Sequence, residues 1–171
     1  DKLGRNWFEN SRNAGLAARQ YAIDNAHRIK GLGPNSWGMS ACISPTTGYS
    51  GQYGSPPIGH GHPLLEDGTV APYGALSFLP FTPKESINAL EYMYRIPGLV
   101  GKYGLYDAYS YQTKAKGDQP WIAESYLGID KGLVLLMFEN YSTQLIWKLL
   151  HQNNHIRKGF EVLLFERKPD R

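Results

Sequence analysis

The stretch that most constrains this chain is Gly128 to Asn140, GIDKGLVLLMFEN, because it joins an aromatic and acidic loop to a run with no polar residue from Leu133 to Phe138. A helix that is apolar on every side is normally buried among other helices. The stretch therefore predicts an inner helix. Asp130 stands near its start, where a carboxylate can cap free backbone N–H groups or face whatever lies beyond the helix mouth. Glu139 follows nine residues later. At about 100° and 1.5 Å per residue, it falls on the opposite side and roughly 13 Å along the axis. In one continuous helix these two carboxylates do not share a site.

The remaining helices are placed around this one. Glu9 to Ala26 reads as an alanine-rich helix with a buried stripe through Leu16, the stem of Gln20 and Ile23, although Gly15 costs about 1 kcal/mol against alanine. Ser36, in GLGPNSWG, is placed to cap a short helix after Pro34. Thr69 to Phe81 is apolar enough for a second inner helix, provided Pro72 lies in its first turn. Thr82, Pro83 and Glu85 read as N-cap, first helical residue and the closing acid of a capping box, with Ile87, Leu90 and Tyr94 on one face of an outer helix. Ser142 or Thr143 can cap a further helix with an apolar face through Leu145, Ile146, Leu149 and Leu150. The closing GFEVLLFE fits either a strand or a last helical turn.

Between these elements lie two long segments, Ser44 to Gly68 and Pro97 to Gly128. The alternation of loop, inner helix and outer helix predicts an all-α fold of stacked helical hairpins. The length of 171 residues suits a single domain. The 19 glycines, 11 prolines and 12 tyrosines concentrate where loops carry flat, amphipathic side chains, a common lining for a polar-ligand cleft.

Several function classes are disfavoured. The net charge of +3 arises largely at the C-terminal end and forms no dense basic patch, so nucleic acid is not the expected partner. No segment offers the roughly 18 apolar residues that span a membrane, and the opening DKLGRNWFEN lacks the apolar core of a signal peptide. With one cysteine, Cys42, there is neither an internal disulfide nor a multi-thiolate metal site. His60 and His62 alone make a weak metal motif. No metal and no cofactor is expected.

The candidate catalytic groups are carboxylates at helix mouths or in loops: Asp67, Asp107 and Asp130, with Glu139 as either a site acid or a structural ion-pair member. Asp67-Gly68 also fits an ordinary turn. Trp37, Tyr49, Tyr106 and Trp121 are candidate platforms for a polar ligand, since an aromatic face covers apolar C–H bonds while polar tips bind hydroxyls. Glu124 is a candidate polar contact beside them.

Four ordered motifs, WFENSRNAGLAARQYAID, GLGPNSWGMSA, DGTVAPYGALSFLPFTPKES and YLGIDKGLVLLMFENYSTQLIW, resemble the C-terminal part of the glycoamylase-like family over about Asn6 to Phe160. That family includes endo-β-1,2-glucanases and the central domain of cyclic β-1,2-glucan synthases. The resemblance implies an (α/α)6 toroid whose inner helices point at a sugar cleft, β-glucan as ligand, and a periplasmic or extracellular setting. Its members are much longer, so residues 1–171 would supply about three of six hairpins, the C-terminal half of a toroid completed by self-association or by the missing N-terminal half. The expected activities are β-1,2-glucan hydrolysis by carboxylates and water, transglycosylation, or glucan binding without catalysis.

Overall fold

The computed structural model describes residues 4–58 and 65–165. Among these the chain is mostly helical, with six α-helices: α1 (Trp7–Asp24), α2 (Pro72–Leu76), α3 (Pro83–Tyr94), α4 (Gly128–Thr143), α5 (Leu145–Gln152) and α6 (Asn154–Val162). The two long segments are not purely irregular. They carry β1 (Cys42–Ser44), β2 (Gly48–Ser50), β3 (Thr69–Val70), β4 (Val100–Gly101), β5 (Gly104–Leu105), β6 (Ala108–Ser110) and β7 (Trp121–Ala123). β1–β2 and β4–β5 are hairpins, while β3, β6 and β7 form an antiparallel sheet with Val70 opposite Tyr109 and Tyr109 opposite Ile122. The all-α expectation therefore holds for the scaffold, and small sheets tie its loops.

Asn6 starts α1 by accepting hydrogen bonds from the Phe8 and Glu9 amides at 3.1 and 3.2 Å. Its buried stripe is Gly15, Ala18 and Ala22, not the expected Leu16, Gln20 and Ile23. The reason is close packing: a Cβ on Gly15 would lie 2.8 Å from Phe78 Cδ1. The glycine that weakens the helix locally admits a ring.

The apolar run Thr69 to Phe81 does not form one helix. Thr69 and Val70 pair with Ser110 and Tyr109, and Pro72 then occupies the first turn of the five-residue α2. Pro80 would clash with the Leu76 carbonyl if the helix continued, so α2 ends there. α3 begins after Thr82 as expected, but no capping box forms. The Thr82 hydroxyl donates to the Phe78 carbonyl at 3.3 Å and meets Ser86 Oγ at 3.3 Å. Ser86, Ala89 and Met93 make the buried stripe, leaving Ile87 and Tyr94 exposed. Ser36 caps no helix; its hydroxyl meets the buried Tyr109 hydroxyl at 2.7 Å.

α4 is continuous, as predicted, but it is buried on one side only. Val134 and Phe138 pack on the main core, and Asp130 and Asn140 are its buried residues. Leu135 is 69% exposed, and Ile129, Leu133 and Leu136 are exposed with it. Gln144, in the left-handed region at φ 59°, joins α4 to α5 without a spacer and holds the cap position, while Thr143 Oγ1 accepts from the Leu145 amide at 3.1 Å. The expected face of α5 exists, yet Leu145, Leu149 and Leu150 are exposed. The undecided C-terminal stretch is helical through Val162.

The core centres on Trp37, Val70, Met93, Leu99 and Tyr109. A second cluster gathers Cys42, Tyr53, Ala71, Ala108 and Ala123, with Tyr73 and Trp121 packed against it. Gly38, at φ +105°, passes α2 so closely that a Cβ would meet the Ala75 amide nitrogen at 2.5 Å, while one on Gly74 would meet the Gly38 carbonyl at 2.4 Å. This backbone crossing fixes the segment that leads into β1.

Candidate active site

Two carboxylates far apart in sequence meet at the mouth of α4. Asp130 is the third helical residue, and the helix is entered through Leu127 without a side-chain cap, so the expected N-cap role is not what this side chain performs. It lies close enough to Asp107, which precedes β6, for the two carboxyls to act on each other electrostatically. Both are buried, Asp107 at 4% and Asp130 at 8% exposure. Asp107 Oδ2 accepts from the Ile43 amide at 2.7 Å. Asp107 Oδ1 and Asp130 Oδ2 find no donor among the described residues.

A neighbouring carboxylate makes a second ionisation more costly. Burial, then the neighbouring Asp107, raise the Asp130 carboxyl from its ordinary 3.8 to about 6, against the opposing pull of Lys131. Lys131 itself is pushed down by burial and held up by Asp107 and Asp130. Its ammonium donates to the Leu105 carbonyl and stands 5.5 Å from the centre of the Tyr126 ring. Tyr73 lies on the α2 side, 2.7 Å from Ser40 Oγ and donating to the Ala41 carbonyl at 3.0 Å. Burial above all pushes its hydroxyl up to about 12. The Cys42 thiol is raised by burial first, then by Asp107, Asp67 and Asp130. It stays protonated and is a poor nucleophile.

The other expected site residues separate into three groups. Asp67 serves a turn: its carboxylate accepts from the Tyr53 hydroxyl at 2.7 Å and the Thr69 amide at 3.0 Å. Glu139 is remote from Asp130, and its carboxylate accepts from Thr143 Oγ1 at 2.5 Å within its own helix. Trp37 is 0% exposed and packs against Phe78, which removes it as a sugar platform. Tyr49 on β2 is exposed, Trp121 is half-buried on β7 opposite Ser110, and Glu124 is exposed just after it. Tyr106 stacks on Tyr126 with ring centres 5.0 Å apart, and Tyr126 meets the edge of Tyr103 at 5.4 Å. Gly101 makes this cluster possible, because a Cβ there would lie 2.3 Å from the Tyr126 hydroxyl.

Lys131 and Tyr73, which lie beside the carboxyls, were not singled out from the sequence. Lys131 had a readable signal, a cation next to the carboxylate at a helix mouth. His60 and His62 lie outside the described residues. Among the described residues, no three His, Cys, Asp or Glu side chains cluster as metal ligands, and no helix is long and apolar enough to cross a membrane.

Comparison with known proteins places this geometry in context. The glycoamylase family model, described as "Putative glucoamylase", matches residues 1–154. The exo β-1,2-glucooligosaccharide sophorohydrolase (non-reducing end) of Parabacteroides distasonis is 31% identical over 161 residues, 92% of this chain and 20% of that protein. The endo-β-1,2-glucanase of Chitinophaga pinensis, solved with sophorotriose and glucose, is 34% identical with a TM-score of 0.75, covering 91% of this chain and 34% of that one. The β-1,2-glucanase structure from Parabacteroides distasonis is 32% identical with a TM-score of 0.75, covering 91% of this chain and 21% of that one. The chain thus spans between a fifth and a third of these relatives.

Proposed function

The chain belongs to the glycoamylase family, and on that premise we propose that it supplies the carboxyl-bearing part of a glycoside hydrolase acting on β-1,2-glucan. The observation that carries the reading is the buried Asp107–Asp130 pair at the mouth of α4, beside the Tyr106–Tyr126 cluster. The two relatives named for β-1,2-glucan hydrolysis and the sophorohydrolase support the substrate class.

Asp130 is the reacting carboxyl in this proposal. Its proton affinity lies near pH 6, close to the range where one group both takes and returns a proton efficiently. Asp107, fixed by the Ile43 amide, holds it in place and raises that affinity. Glycoside hydrolysis calls on two carboxyl groups; with Asp107 as the support, the second catalytic carboxyl is assigned in this proposal to the part of the fold outside this chain. Tyr106, Tyr126 and Trp121 offer ring faces to the sugar, with Glu124 and Tyr49 at the rim. The reaction uses water and carboxyl groups and calls on no cofactor.

The proposed setting is an (α/α)6 toroid of which this chain forms helical hairpins. Support comes from the apolar side chains left open along α4, α5 and α6, since contiguous exposed apolar surface marks an interface. The share of the relatives that the chain spans favours a second reading for the chain alone, glucan binding without turnover. Transglycosylation uses the same carboxyl chemistry with a sugar hydroxyl in place of water.

The test is product release from β-1,2-glucan, with an α-1,4-glucan control, by the chain alone and by the chain grafted in place of the matched segment of the Chitinophaga pinensis enzyme. The graft is expected to cleave β-1,2-glucan and Asp130→Asn to abolish cleavage with the fold retained. A folded graft without activity, or an active Asp130→Asn graft, overturns the proposal.

A further inference from the structure

We propose that Lys131 is a positioning residue for the carboxyl pair: its ammonium ties the mouth of α4 to β5, which keeps Asp130 beside Asp107 and sets a positive charge next to them. The inference rests on the site reading above and adds a residue to it.

The geometry has two parts. Lys131 is adjacent to Asp130 in the first turns of α4, and its ammonium donates to the carbonyl of Leu105, two residues before Asp107. One side chain thus links the two segments that bring the carboxyls together. The Leu105 side chain is itself buried in the core, so the anchor is fixed. The second part is charge. Asp107 Oδ1 and Asp130 Oδ2 are buried without a donor among the described residues, and an unpaired buried carboxylate is costly. Lys131 interacts electrostatically with both carboxyls, and the negative charge of Asp107, Asp67 and Asp130 is felt in turn by Cys42. The groups surrounding the pair are Asp67 and Cys42 from the β1–β3 side, Tyr73 from α2, the Tyr126 ring before α4, and Lys131 itself. Among those groups, Lys131 is the one that carries positive charge.

Lys131→Gln keeps a donor for the Leu105 carbonyl and removes the charge; Lys131→Arg keeps the charge. The Asp130 carboxyl is followed by carbon-13 NMR across a pH titration of the full chain. In Lys131→Gln its midpoint is expected to climb above about 6, a proton affinity increased about tenfold, while Lys131→Arg stays near the original value. In the unaltered protein, the Lys131 side-chain resonance is expected to step at the same pH as Asp130. A Lys131→Gln midpoint that does not move, or a Lys131 resonance blind to the Asp130 titration, overturns the assignment. Neither readout uses glucan, so failure here is distinguishable from failure of the hydrolase reading.

Discussion

Asp130→Asn is expected to stabilise the protein at neutral pH while removing its proposed chemistry. The folded protein holds the Asp130 proton to about pH 6 against an ordinary 3.8, with burial as the leading cause. A carboxyl raised in this way binds its proton more tightly folded than unfolded. Folding stability therefore falls as pH climbs from about 4 through about 6, and stays at the lower level above that. The rise corresponds to roughly 2 to 3 kcal/mol. Asparagine has the shape of the protonated acid and can donate an N–H to Asp107, so it avoids this cost. For a chain of this size, each kcal/mol moves the melting temperature by about 2 to 4 °C, which gives a gain of roughly 5 to 10 °C at pH 7.5. At pH 3.5 wild type and variant are both neutral at this position and the gap closes. Thermal unfolding followed by circular dichroism at the two pH values measures it. An Asp130→Asn protein no more stable than wild type at pH 7.5, or equally shifted at both pH values, refutes the reasoning.

Two further substitutions probe the scaffold. Gly38→Ala places a methyl 2.5 Å from the Ala75 amide nitrogen at a φ of +105°, and a loss of about 3 kcal/mol or more is expected in urea unfolding; a loss below about 1 kcal/mol would show that the crossing can relax. Leu135→Glu, at the most open leucine of α4, is expected to lower concentration-dependent self-association of the isolated chain in light scattering by severalfold. A wild-type chain that stays monomeric at high concentration would count against an interface on this face.

The parts of the fold legible in the sequence were those set by local chemistry. Pro83 after Thr82 marks the start of α3, and the apolar run after Asp130 marks α4, because propensity and periodicity act within a few residues. The buried face of α1 was not legible, since Gly15, Ala18 and Ala22 are chosen for the space Phe78 and its neighbours need, and hydrophobic periodicity looks for large residues. Strands of two or three residues are too short to alternate visibly. In the site, Asp107 and Asp130 were each identifiable as loop and helix-mouth carboxylates. Their pairing was not, because it depends on β6, β7 and the Lys131 tie bringing together residues from different segments. Trp37 misled for a related reason: a tryptophan in a glycine-rich loop looks accessible until that loop is folded against α2.

The crossing of Gly38 and Gly74 also limits how the site can change over time. Each glycine's missing side chain is space already filled by the other segment's backbone, so neither position can drift alone. The chain from Gly38 to Ile43, whose amide orients Asp107, must then vary around a fixed pivot. Substitutions at Ser40, Ala41 or Ile43 can reshape the surroundings of the carboxyl pair, but shifting the pair as a body requires coordinated replacement on both segments of the crossing. Sequence variation in this region should therefore retune the proton affinity of Asp130 more readily than it relocates the carboxyl.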